Sequence, residues 1–217
     1  QVIHRLARLE EGETILIHTA ASGTGQAAIQ LAKSLGAIVY ATVGSAEKKR
    51  LLMDAYHIPE EHIFYSRDAG FAKGIKRVTN GRGVDVVVNT LVGDELLASL
   101  ECVAPHGRFV EMGEKKVVSN TTIPLFGLPD NVSFITFDAS AWLKERSTLA
   151  RRDLHKIMDL FGQGKLHSAL PLHVSDISEI GQVLRDIHHG DTVGKFVFEM
   201  SPESQVQATI STKPSFY

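Results

Sequence analysis

A single cysteine, Cys102, stands among the 217 residues of this chain, so no disulfide can close within it and a cysteine-rich zinc site is excluded. So little cysteine suits a reducing compartment, and a cytoplasmic location is the expectation. Long apolar runs are missing as well: nothing reaches the length of a membrane span, and nothing resembles a signal peptide. The formal charge of −2 gives no excess of either sign, so neither nucleic acid nor an anionic membrane is expected as partner. An initiating Met is absent, and a helix-like run (Val2, Ile3, Leu6, Leu9) starts at once after Gln1, as if the chain were cut from a longer polypeptide. No internal repeat or low-complexity segment appears. What is there has an ordinary globular composition, 43% hydrophobic and 22% charged. Its length suits one large α/β domain, or one domain plus fragments of a neighbour.

Short β-branched runs alternate with amphipathic helical runs, the pattern of a parallel-sheet α/β architecture. Strands are predicted at Thr14–His18, Ile38–Thr42, His62–Phe64, Val84–Asn89, Arg108–Met112 and Val132–Phe137. Helices are predicted near Gly25–Leu35, Ala46–Tyr56, Phe71–Thr79 and Glu95–Val103, with Gly36, Gly83 and Gly107 as left-handed caps between elements. Six strands with these crossovers fit a doubly wound sheet of order 3-2-1-4-5-6. After Asp138 the pattern changes to a helix near Arg151–Phe161, a helix near Ile177–His188 and a last strand Lys195–Met200. Arg151, Arg152 and the run Ile157–Phe161 are expected to form a packed amphipathic surface. The tail from Ser201 to Tyr217 is polar and reads as linker, which sets the domain at residues 1–200.

The segment from Ile15 to Ile29 runs strand, tight turn, helix. Small residues from Thr19 to Gly25 let a phosphate approach the backbone, and free N–H groups at the helix start attract its charge. Ala27 and Ala28 permit close helix–sheet contact, as the third small residue of a dinucleotide fingerprint does. An NAD-specific site would place an acid about 20 residues past the loop to grip the adenosine ribose. That stretch here is Thr42-Val-Gly-Ser-Ala-Glu-Lys-Lys-Arg50, with no acid at the strand end. Ser45 can cap the next helix, while Lys48, Lys49 and Arg50 offer charge suited to a 2′-phosphate, with Arg67 near enough to join them. The alternative for the lysines is a solvated basic face, and for Arg67 a surface position.

Read in order, Leu16-Ile-His, Gly25-Gln-Ala-Ala-Ile-Gln-Leu-Ala, Ala41-Thr-Val-Gly-Ser-Ala-Glu-Lys48, Ser66-Arg-Asp, Gly81 to Asn89 and Gly107 to Gly113 resemble a known family. They are similar to the enoyl reductase domains of animal fatty acid synthase and, more closely, of highly reducing fungal polyketide synthases, in the medium-chain dehydrogenase/reductase superfamily. The resemblance runs from Gln1 to about Met200. It implies a Rossmann-type domain using NADPH to reduce an α,β-unsaturated acyl thioester carried on an acyl carrier protein. It also implies a GroES-like substrate lobe before Gln1, neighbouring dehydratase and ketoreductase domains (the latter after the linker), and a homodimer formed through the parent synthase. By this resemblance Gly23, Thr24, Gly25 and Gln26 hold the pyrophosphate, and Ser45 with Lys48 the 2′-phosphate. Asn89 to Leu91, with Met112 and Gly113, line the nicotinamide side.

Hydride addition to an enoyl thioester builds enolate charge, which needs an electrophilic donor or a proton source. Family members place a Lys directly after the Gly of their Glu-Ile-Gly motif and an Asp further on. Here Glu114 follows Gly113, with Lys115 next, and Asp138 matches the Asp. Ser22 stands where the family shows the first glycine of a pair. These two departures keep open a degenerate domain acting as a scaffold, beside the active reductase and a free-standing quinone oxidoreductase. The ten histidines show no metal-ligand spacing, so no metal is expected. His18 reads as a packed strand-end residue or a cofactor contact, and the Gly-x-Ser-x-Gly spacing of a nucleophile elbow is absent around Ser22.

Overall fold

The computed structural model describes residues 1–67, 69–112, 127–189 and 193–206. Its centre is a six-stranded parallel sheet of order β3-β2-β1-β4-β5-β6, the order read from the sequence. The strands are β1 (Thr14–Ile17), β2 (Ile38–Val43), β3 (Ile63–Tyr65), β4 (Val84–Asn89), β5 (Val103–Glu111) and β6 (Ser133–Thr136). Ile15 pairs with both Val39 and Val86, so β1 lies between β2 and β4.

Strand side chains alternate between the two faces, and both faces are covered. Ile15, Ile17, Val39, Ala41, Val43, Val86 and Val88 pack with α1 (Gly23–Ser34) and α2 (Ala46–Tyr56). Leu16, Tyr40, Val87 and Phe109 turn the other way, onto α3 (Gly70–Val78) and α4 (Asp94–Glu101) through Phe71, Ile75, Leu96 and Leu100. The near-continuous apolar runs of β1, β2 and β4 follow from this double coverage.

β5 begins at Val103, well before the Arg108 predicted, and α4 ends at Glu101 rather than at Val103. Val103 pairs with Val84, after which the register shifts so that Val86 meets Arg108. The extra residues form a bulge in which His106 takes φ 64° and donates its N–H to the Asp130 carbonyl at 2.9 Å. Gly36 and Gly83 are left-handed, but Gly107 is not among the positive-φ residues. Crowding requires glycine there instead: a Cβ would lie 2.6 Å from Val103 Cγ2.

The C-terminal part departs further from the sequence reading. Helix α5 (Ala139–Glu145) precedes α6 (Ser147–Gly162), and a strand β7 (Leu172–Asp176) pairs in parallel with β8 (Lys195–Glu199). Helix α7 starts at Ile180, after a short 3-10 turn over Ile177–Glu179. The expected packed surface on α6 is instead open: Leu154, Ile157, Met158 and Phe161 are all exposed. Alternation of Leu172 and Val174 with polar neighbours hid β7, because those side chains are also exposed. No helix of the described residues is long and apolar enough to cross a membrane.

Polar ties hold the ends of the sheet. Thr14 donates its N–H and hydroxyl to Asp85 Oδ2 at 2.8 and 2.7 Å, joining the starts of β1 and β4. Arg108 on β5 donates to both Glu13 oxygens, at 2.8 and 2.6 Å, and its Nε donates to the Ala7 carbonyl at 2.7 Å. This fork pins the N-terminal segment across the sheet, and the Arg108 hydrogen bond holds the Glu13 carboxyl below the usual carboxylate range. Arg108→Ala strands that carboxylate and the Ala7 carbonyl, and is expected to lower stability by about 2–4 kcal/mol. Urea denaturation checks it; a loss below about 0.5 kcal/mol, the range of an ordinary surface change, would show the fork to be decorative.

Candidate functional site

At the carboxyl ends of β1 and β4 the two crossover directions diverge, and a crevice opens between them. The chain leaves β1 through a turn in which Thr19 takes φ 48°, Ala20 N–H reaches the Thr42 carbonyl at 3.0 Å, and Ser22 N–H reaches the Thr19 carbonyl at 2.9 Å. α1 then starts at Gly23. A Cβ on Gly25 would stand 2.6 Å from the Ala20 backbone, so the first turn of α1 lies directly on the phosphate-type turn. A Cβ on Gly23 would meet only Ala169, at 4.0 Å, so that glycine leaves room on the crevice side.

Ser22 occupies an ordinary extended conformation, φ −72° and ψ 163°, and caps α1 by accepting Gly25 N–H at 3.1 Å. The turn therefore has no conformational need for glycine at this position, and the departure noted in the sequence does not deform it. Gln26 N–H is taken by the Ser22 carbonyl at 2.8 Å. Gly23 and Thr24 N–H find no acceptor among the described residues, and they stand at the positive end of a helix with no acid in its first turn.

A cavity of about 380 Å³ continues from this turn to the end of β2, lined by Thr19, Ser22, Gly23, Gly44, Lys48 and Ser66 among others. Ser45 caps α2 by accepting Lys48 N–H at 3.3 Å, which sets Lys48 in the first turn beside the cavity. The three basic residues part company here. Lys49 lies 3.1 Å from Glu60 and over the Tyr65 ring, and Arg50 is exposed, so only Lys48 lines the cavity. The exposed Arg67 lies near its edge, with Nε 4.0 Å from where a Cβ on Gly44 would stand.

On the other side of the crevice, Asn89 is fully buried at the end of β4. Its Nδ2 donates to Glu111 Oε2 at 2.6 Å and to the Leu91 carbonyl at 2.8 Å, while Oδ1 receives Leu91 N–H at 3.3 Å. Its side chain thus shapes the loop through Leu91 from beneath and does not face the crevice. Met112 N–H donates to the Asn89 carbonyl at 2.9 Å, which brings the ends of β4 and β5 together. Asp138 follows β6, is exposed, and accepts Ala141 N–H at 2.9 Å as the cap of α5. Gly113 and Lys115, with Glu114, lie outside the described residues.

Gln26 differs most from its sequence reading. Its side chain is buried and bonded to protein alone: Nε2 donates to the Ala21 and Leu170 carbonyls at 2.8 and 2.7 Å, and Oε1 accepts Leu170 N–H and the Tyr56 hydroxyl at 2.7 and 2.5 Å. One turn on, Gln30 makes the same paired contact with the backbone of His167, at 3.1 and 2.7 Å. Two glutamines at i and i+4 on one helix face are the signal that could have found this clamp; its partner segment carried none.

His18 closes the floor of the site. It is buried, with Nδ1 2.8 Å from Thr42 Oγ1 and Nε2 3.0 Å from Ser99 Oγ, so it joins β1, β2 and α4. Of its two sequence readings, this is the packed strand-end residue. Burial pushes its pKa down to about 3. Thr19 and Thr90, each inside a stretch that the sequence reading assigned to the cofactor, meet hydroxyl to hydroxyl at 2.9 Å.

Comparison with known proteins places the fold in a family. A family profile described as zinc-binding dehydrogenase matches residues 23–152. Highly reducing polyketide synthase 40 of Fusarium mangiferae is 43% identical over 215 residues, 99% of this chain and 9% of that protein. The CurK enoyl reductase is 36% identical with a TM-score of 0.77, over 92% of this chain and 58% of that one. The nucleotide-binding subdomain of the enoylreductase domain of PpsC from Mycobacterium tuberculosis is 36% identical with a TM-score of 0.68, over 75% of this chain and 89% of that one.

The neutral state of His18 has a pH signature. Its folded pKa lies below the ordinary value of 6.5, so the unfolded chain binds the extra proton as pH falls. The stability it contributes is complete above about pH 6.5 and is lost progressively toward pH 3, by about 1.4 kcal/mol per pH unit. Between pH 6.5 and 5 the native chain should therefore lose about 2 kcal/mol more than a His18→Gln variant. Denaturant titrations at the two pH values measure this; equal losses would mean that His18 is not held neutral.

Proposed function

Because the chain belongs to the zinc-binding dehydrogenase family, in the branch of the polyketide synthase enoyl reductases, we propose that it binds NADPH and serves the reduction of an α,β-unsaturated acyl thioester on an acyl carrier protein. One observation carries the cofactor reading: a single cavity joins the glycine turn to Lys48 at the end of β2, and its described lining includes no carboxylate. Gly23 and Thr24 N–H would hold the pyrophosphate, and Ser45, Lys48 and Arg67 would surround the 2′-phosphate. Leu91, Met112 and Gly113 would flank the nicotinamide ring, with Asn89 fixing the loop behind them. When bound, the nicotinamide supplies a hydride. Asp138 and Lys115 are the candidates for supplying a proton or steadying enolate charge. The chain spans 9% of the first curated relative and 58% of CurK, so a substrate lobe, dehydratase and ketoreductase neighbours, a homodimer and a cytoplasmic setting belong to this proposal.

The zinc in the family's description finds no fit here. Cys102 is buried, its thiol is pushed up to about 12 by burial, and it donates to the Ala98 carbonyl. No three His, Cys, Asp or Glu side chains converge among the described residues. No zinc role is assigned.

Lys48 provides the test. Lys48→Ala removes a charge-assisted contact and is expected to weaken NADPH by about 1.5–3 kcal/mol while leaving NADH little changed. Calorimetric titration of the native chain and the variant with both cofactors measures it. Equal loss for the two would make Lys48 a structural residue, and no binding of either by the native chain would favour a scaffold role.

A further inference from the structure

A second hollow lies at the far end of the two helices that start at the crevice. Its volume is about 450 Å³, and it opens between the end of α1, the end of α2 and the segment 165–170. It shares no lining residue with the cavity beside Lys48. Lys33, His57, Lys165 and His167 line it, and its described lining includes no carboxylate. Lys33 Nζ donates to the Tyr56 carbonyl at 2.5 Å, at the negative end of α2, and keeps two protons for other acceptors. The Lys165 ammonium and the His57 and His167 rings have no partner among the described residues. Basic side chains with no acid to neutralise them make a place for negative charge. Ala55 and the exposed Leu170 give the same hollow an apolar wall.

The floor of this hollow separates it from an ordinary solvated basic face. Tyr56 is buried there, and its hydroxyl donates to Gln26 Oε1 at 2.5 Å. Leu170 N–H donates to the same oxygen at 2.7 Å. The amide nitrogen of Gln26 donates in turn to the Ala21 carbonyl at 2.8 Å, within the turn that leaves β1. One buried side chain thus ties two residues of the hollow to the turn of the crevice. A ligand bridging Lys165 to the end of α2 would hold the segment 165–170 against α1. Both bonds to Gln26 Oε1 would then stay closed, and the Ala21 carbonyl would stay fixed.

We propose that this hollow is a second ligand site, for a small organic anion with an apolar body, and that its occupation tightens nucleotide binding through Gln26. The coupling rests on the nucleotide reading given above; the site itself does not.

Phenyl phosphate is the probe, titrated calorimetrically into the native chain and into Lys165→Ala, His57→Asn, Tyr56→Phe and Lys48→Ala. His57 stands at φ 51°, which asparagine also tolerates, so His57→Asn keeps the backbone. Lys165→Ala and His57→Asn should each weaken the probe roughly five- to tenfold. Inorganic phosphate, which has no apolar body, should bind the native chain at least about fivefold more weakly. NADPH should bind roughly fivefold tighter at saturating phenyl phosphate, and saturating NADPH should tighten the probe by the same factor. Tyr56→Phe should keep the probe and lose that enhancement. No binding of the probe by the native chain overturns the site. So does binding lost in Lys48→Ala but kept in Lys165→Ala, which puts the probe in the crevice. Equal affinity for inorganic phosphate overturns the apolar-body assignment. Unchanged or weakened NADPH binding at saturating probe, or an enhancement that survives in Tyr56→Phe, overturns the coupling. A native chain that binds the probe through Lys165 but binds no NADPH removes the nucleotide reading, and the coupling with it, and leaves the site standing.

Discussion

The contact between Gly25 and Ala20 sets the geometry of the whole site. With no side chain at Gly25, the first turn of α1 can rest on the backbone of the turn that leaves β1, at a distance where a Cβ would stand 2.6 Å away. That seat fixes the start of the helix, where Gly23 borders the crevice cavity and the N–H groups of Gly23 and Thr24 have no acceptor among the described residues. It also decides which face of α1 meets the sheet, through Ile29 and Ala32, and which face is left for the C-terminal segment, through Gln26 and Gln30. A larger residue at position 25 would lift the helix and disturb all three relations together.

Around that seat the buried polar groups are paired, and pairing is what keeps them from being costly. His18 is held neutral between Thr42 and Ser99. Asn89 satisfies Glu111 and the Leu91 backbone. Gln26 uses both its oxygen and its nitrogen. These groups lie around the crevice, while residues that line it (Gly23, Thr19, Lys48) retain capacity for a ligand. Such a division between satisfied support and unsatisfied face is what a ligand-binding site requires.

Much of the fold was legible because the signals were local. β1, β2 and β4 are continuous β-branched runs, and double coverage of a parallel sheet demands that composition. The glycine turn and the Ser45 cap are short-range patterns of the same kind, whereas the Ser22 cap was not read from the sequence. What escaped was non-local. The first part of β5 was hidden by Pro105, His106 and Gly107, which read as a turn but form a bulge. β7 was hidden because its pairing with β8 crosses a helix, and its outward residues give no buried periodicity. At the site, residue type alone did not separate Lys48 from Lys49; the family resemblance singled out Lys48, and in space Glu60 and Tyr65 claim Lys49. Gln26 sat inside a nucleotide motif in sequence and belongs to a clamp in space.

The clamp has a consequence for the order in which this chain assembles. The hydrogen bonds between Gln26 and Leu170 join positions 144 residues apart, and nearly the whole sheet lies within the loop they close. Loop closure over that span costs chain entropy that no local contact repays. The segment at 167–170 can therefore lock onto α1 only after the sheet has brought α1 to its place. The last part of the chain to dock reads the correctness of the first, since a helix seated wrongly on Ala20 would offer its two glutamines to empty space.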